Sequence, residues 1–152
     1  MKRLSPLLIA TAFLQCGCVA TTAVVGSSGV PMGTVHVAST TVGNVTLAPT
    51  ACASGERQLF LGADFLEGSR GTVVRLILEP MGEATFRVFD AARPLDPGIA
   101  FRRAACSKAL VSLERTGWRI DDIYDLRVGL DLDCRNASGD SLRGTLSVAH
   151  CH

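Results

Sequence analysis

The stretch Y-D-L-R-V-G-L-D-L-D-C, residues 124–134, decides the fold of this chain. Successive side chains along a strand point to opposite faces. Read that way, Tyr124, Leu126, Val128, Leu130, Leu132 and Cys134 share one face, while Asp125, Arg127, Asp131 and Asp133 share the other. The run Asn136-Ala137-Ser138-Gly139-Asp140 is turn chemistry, and residues 141–151 return with Leu142, Leu146 and Val148 on one side. The two runs predict an antiparallel hairpin with one buried and one solvated face.

The same rhythm extends upstream. Short apolar runs at 42–48, 57–63, 72–79, 83–89, 99–103 and 109–115 are separated by turn residues. Pro80-Met81-Gly82 joins 72–79 to 83–89 as a second hairpin, and the two prolines between Asp90 and Gly98 mark a loop. Residues 107–116 are long enough for a helix, but their apolar members hold no helical stripe. The expectation is an all-β domain of about eight short strands over residues 42–152, closed as a small antiparallel sandwich or barrel.

A length of 152 residues suits one domain, and 47% hydrophobic against 19% charged residues is too apolar for a disordered chain. Mean hydropathy is +0.30. The net charge of +1 offers no footprint for a nucleic acid. No stretch reaches the 18 or so unbroken apolar residues of an ordinary membrane span.

The first residues, M-K-R-L-S-P-L-L-I-A-T-A-F-L, place two positive charges ahead of a short apolar run, the pattern of a secretory signal. The following L-Q-C-G-C-V-A, residues 14–20, resembles the lipobox of bacterial lipoproteins, with the small Gly17 ahead of Cys18; Gln15 stands where that family carries Leu. The resemblance implies a signal over residues 1–18 and a mature chain beginning at a Cys18 that carries acyl chains such as palmitate. Val19 is not the family's Asp retention signal, which implies an outer-membrane destination in a cell with two membranes. The rival is a plain secretory cut after Ala20, giving a secreted or periplasmic soluble protein. Residues 19–41, uncharged and rich in Thr, Ser, Gly and Ala, are read as a flexible tether, with 34–38 alternatively a first, edge strand.

Cysteine parity favours Cys18 over Cys16 as the acylated residue. Lipidation at Cys18 leaves four cysteines for an exported domain, whereas lipidation at Cys16 would strand a fifth. If residues 109–115 pair antiparallel with 126–132, the register brings Cys106 to Cys134 and leaves Cys52 for Cys151. Each bridge is worth about 2–4 kcal/mol.

His150-Cys151-His152 raises a metal site, with His36 as a further ligand, but the intervening cysteine points away from the imidazoles on a strand and no CxxC spacing supports zinc. Asp125, Asp131 and Asp133, with Asp121 and Asp122 nearby, raise calcium, but they are read first as a solvated strand face offset by arginines. No G-x-S-x-G, H-E-x-x-H or phosphate-binding glycine loop is present, so neither catalysis nor a cofactor is expected. Trp118, after the turn Thr116-Gly117, is expected to cap the core; if exposed, it and Tyr124 are the candidates to stack on a protein or glycan partner.

These features together describe an exported, membrane-anchored lipoprotein with a non-catalytic β-sandwich binding or structural domain. The alternatives are a small secreted enzyme or enzyme inhibitor, and a metal-binding envelope protein using His150 and His152.

Overall fold

A computed structural model describes residues 29–68, 71–93 and 96–152. The signal segment, Cys18 and the first part of the proposed tether lie outside the described residues. Ten strands follow one another: β1 (Met32–Ser39), β2 (Gly43–Leu47), β3 (Ala51–Ser54), β4 (Gly62–Glu67), β5 (Thr72–Leu78), β6 (Ala84–Asp90), β7 (Ile99–Arg102), β8 (Cys106–Ile120), β9 (Ile123–Arg135) and β10 (Ser141–Cys151). They form two five-stranded antiparallel sheets, in the orders β2-β1-β10-β9-β8 and β3-β4-β5-β6-β7. The fold is an all-β sandwich stapled by two disulfides.

The alternation in residues 124–134 has the predicted consequence. Leu126, Val128, Leu130, Leu132 and Cys134 are all buried, and Leu142, Leu146 and Val148 of β10 join them from across the ladder. The second sheet contributes Phe65, Leu76, Phe86 and Phe101, each with no exposed surface, so three aromatic rings from one sheet meet the aliphatic face of the other. At roughly 25 cal/mol per Å2 of apolar surface removed from water, this seam is the main source of stability.

The β8–β9 pairing sets Ala109 opposite Leu132 and Arg115 opposite Leu126, the register argued from the sequence, and places Cys106 opposite Cys134. Cys106 is bonded to Cys134 within this sheet, while Cys52 on β3 is bonded to Cys151 on β10 and ties the two sheets together.

Three expectations are corrected. Residues 32–39, assigned to the tether, form β1, and it is an interior strand with β2 on one side and β10 on the other. The folded domain therefore begins before residue 42. Glycines obscured this strand, yet Gly144 on β10 is what lets it dock: a Cβ there would lie 2.2 Å from the Thr34 carbonyl oxygen at φ +137. Secondly, the run 57–63 is not one strand. Residues Gly55–Gln58 form a 3-10 turn, Leu59 takes a left-handed conformation (φ 63), and β4 starts only at Gly62. The ring of Phe60 lies over Gly55, where a Cβ would come within 2.4 Å of it, so the apolar run folds back into a loop instead of extending. Thirdly, β3 and β1 raise the strand number from about eight to ten.

Candidate functional site

The β8–β9 hairpin is closed by Asp121 and Asp122, both left-handed at φ 50 and 64, the pairing of positive angles that a two-residue type I′ turn requires. Just below the turn the register slips. Arg115 faces Leu126 and Arg119 faces Tyr124, so Thr116, Gly117 and Trp118 together oppose Asp125 alone. Gly117 takes φ +88 within this bulge. The extra residues push Trp118 outward, and its side chain is 69% exposed. This corrects the expectation that Trp118 caps the core.

A second bulge lies on the other flank of Asp125. On β10 the register slips between Val148 and Cys151, which stands opposite Leu126. Bulges on both sides turn Asp125 in from the solvated face expected for it, and it is 2% exposed. Its carboxylate accepts hydrogen bonds from the Thr116 hydroxyl (2.7 Å), from His150 Nδ1 (2.8 Å) and from the Cys151 backbone N–H (2.9 Å). His152 Nδ1 lies 3.6 Å from Oδ1, the oxygen that also accepts from Cys151, while Thr116 and His150 share Oδ2. Desolvation pushes the Asp125 carboxyl upward, but the bonds from His150, Thr116 and Cys151, helped by the His150 charge, outweigh it and hold the group below the ordinary range. Asp125 thus makes the connections that the ladder loses where both neighbouring strands bulge.

Tyr124 is braced rather than free. The guanidinium of Arg115 lies 4.3 Å from the centre of its ring and that of Arg119 lies 4.6 Å away. Glu56, from the 3-10 turn, accepts from Arg115 at 2.6 Å and from the Tyr124 backbone N–H at 3.0 Å. Burial raises the Glu56 carboxyl, and the Tyr124 and Arg115 bonds reverse that and bring it below its usual value. The loop of residues 55–61 is therefore fastened to the hairpin, bringing the fully exposed Leu59 to the same end of the sandwich as Trp118.

The remaining candidate residues separate. His150 and His152 converge on Asp125, whereas His36 stands opposite Arg143, well along β10, and bonds Thr46. Among the described residues no group of three or more His, Cys, Asp or Glu side chains is placed to hold a metal ion. Asp131 pairs with Lys108 and Asp133 with Arg143, so these two carboxylates sit on a charge-balanced sheet face, the reading weighed against calcium. The four cysteines are committed to bridges. Among the described residues no helix is long and apolar enough to cross a membrane. Glu56, Arg115, Arg119 and the buried role of Asp125 were missed from the sequence. The adjacency of Thr116-Gly117 to Trp118 was the only local hint of the bulge that arranges them.

The fold and this end of it define a two-sheet, disulfide-bonded β-sandwich that carries an exposed aromatic residue on a braced hairpin. No protein-family model matches the chain, nor does any curated protein or solved structure.

Proposed function

We propose that this chain is an exported lipoprotein, anchored by acyl chains on Cys18, whose β-sandwich is a non-catalytic binding domain that uses the end bearing Trp118 and Tyr124. The observation that carries the binding assignment is the contrast within the hairpin. A 69% exposed indole is held out by a bulge whose surroundings are tied down by Glu56, Arg115 and Asp125. Rigid support beneath an exposed aromatic residue lowers the ordering cost of a contact made there. The anchoring assignment is supported by the charged start, the apolar run and the Gly17-Cys18 pair, and by two disulfides, which suit an oxidising compartment. Val19 after Cys18 directs the reading to the outer membrane of a two-membrane envelope.

Intact mass of the protein from its host membranes, before and after reduction and alkylation, tests this reading. The expected result is an N-terminus at Cys18 carrying acyl mass, with four thiols that alkylate only after reduction. An unmodified chain beginning at Thr21 would replace the anchor with plain secretion.

A further inference from the structure

We propose that the partner of the Trp118 end is the membrane itself: Trp118, with Leu59 and Val30 at the same end, seats in the interfacial zone of the bilayer that holds the chain's anchor. This rests on the lipidation of Cys18 proposed above.

The topology places the entry of the described chain toward the end of the first sheet at which the hairpin turns. β1 starts, β10 ends and the β8–β9 hairpin turns at one end of the first sheet. Gly29, the first described residue, donates its N–H to the His150 carbonyl at 2.9 Å, beside the Asp125 hub that also holds Thr116. With neighbouring strands about 4.8 Å apart, β1 lies about 10 Å across the sheet from β9. Only about 11 residues separate Cys18 from Gly29, a length that spans no more than about 40 Å in any conformation. The anchor thus presents this end to the bilayer at high effective concentration, so that a weak contact suffices to seat it.

The surface there has the matching chemistry. Three of the eight exposed large apolar side chains found among the described residues belong to segments at this end: Val30 (70%), next to the Gly29 that bonds His150, Leu59 (97%), in the loop fastened by Glu56, and Trp118 (69%). Trp is suited to the headgroup level because its ring is apolar and its N–H polar. The charges around it nearly cancel, with Arg115 tied to Glu56, Arg119 to Asp122, and Arg57 and Asp121 both exposed. A face of this kind fits a zwitterionic headgroup layer better than a strongly anionic one.

Trp118 is the only tryptophan of the chain, so its fluorescence reports this contact without labelling. The experiment uses the full mature chain from host membranes, reconstituted into phosphatidylcholine vesicles with or without bromine on the acyl chains near the glycerol. The expected result is roughly twofold quenching by the brominated lipid and a blue-shifted emission, as for an interfacial indole. The V30D/L59D variant changes two exposed positions, and Asp tolerates the left-handed angle at residue 59 better than Leu. It should still float with the vesicles but lose most of the quenching. A floating chain whose Trp118 is unquenched overturns the proposal, leaving the anchor intact and this end free for a glycan or protein. Quenching unchanged in V30D/L59D also overturns it, since the contact would then not be made by this face. A chain that neither floats nor carries acyl mass overturns both this proposal and the anchored reading.

Discussion

Cutting the Cys52–Cys151 bridge should cost this protein more than cutting Cys106–Cys134, and the difference follows from loop length. The two bridges close sequence separations of 99 and 28 residues. On the chain-entropy relation, loops of those lengths correspond to about 4.7 and about 3.6 kcal/mol at 25 °C. The shorter loop is nested within the longer one, so with Cys106–Cys134 intact the effective outer loop falls to about 70 residues and its contribution to about 4.4 kcal/mol. A small domain is stable by only about 5–15 kcal/mol, so the C52A/C151A variant should sit near its folding threshold at room temperature. For a domain of about 120 residues the loss corresponds to a fall in Tm of roughly 15 °C. Urea unfolding of C52A/C151A and C106A/C134A, followed by circular dichroism, measures both numbers. The m-value should rise in each variant as the unfolded chain gains exposed surface. If C106A/C134A is as destabilised as C52A/C151A, or if C52A/C151A loses less than about 1.5 kcal/mol, the loop-entropy reasoning fails.

Three further outcomes follow from the packing and the charges. Asp125, Glu56 and Asp140 all have carboxyls held below their ordinary values, so the stability they confer is present above about pH 4 and is lost as pH falls through their folded-state values. D125N should therefore flatten the acid limb of a Tm-against-pH curve between pH 2 and 5, and an unchanged limb would remove Asp125 from the account. The Phe65 side chain is fully buried and Trp118 is mostly exposed, so F65A should cost about 3–5 kcal/mol and W118A less than about 0.5 kcal/mol in chemical denaturation; comparable losses would mean that Trp118 is packed after all. Arg75 grips Asp64 with two bonds of 2.7 Å and lies between the rings of Phe60 and Phe89, while Asp64 is 4% exposed. R75A should lose about 3 kcal/mol by removing the carboxylate's ion-pair partner, with only the Gln58 amide still donating to it. R75A/D64A should recover part of the loss in the same assay, and no recovery would place Arg75's contribution in its ring contacts alone.

Much of the architecture was legible because a strand's side chains alternate with a period of two, and that period survives in the one-dimensional chain. Residues 124–134 and 141–151 announced both their pairing and their buried face, and the register carried Cys106 to Cys134 once residues 109–115 were laid beside them. The strand β1 was harder to see, because its place between β2 and β10 depends on backbone close to Gly144, a contact between residues more than a hundred positions apart. The candidate site was less legible still. A bulge breaks the very period on which strand reading relies, and two bulges meet at Asp125. Parity put its carboxylate in water, and only the neighbouring strands turn it toward Thr116, His150 and Cys151. Likewise nothing local to Glu56 announces that it bonds Arg115 and Tyr124, since that meeting requires the two sheets to have packed. By itself the sequence determined the fold class, the main hairpins and the parity of the cysteines, all consequences of local periodicity and covalent counting. Tertiary structure alone decided that Trp118 faces outward and that the described chain enters the first sheet toward the end at which the β8–β9 hairpin turns, because both depend on long-range pairing that no short stretch encodes.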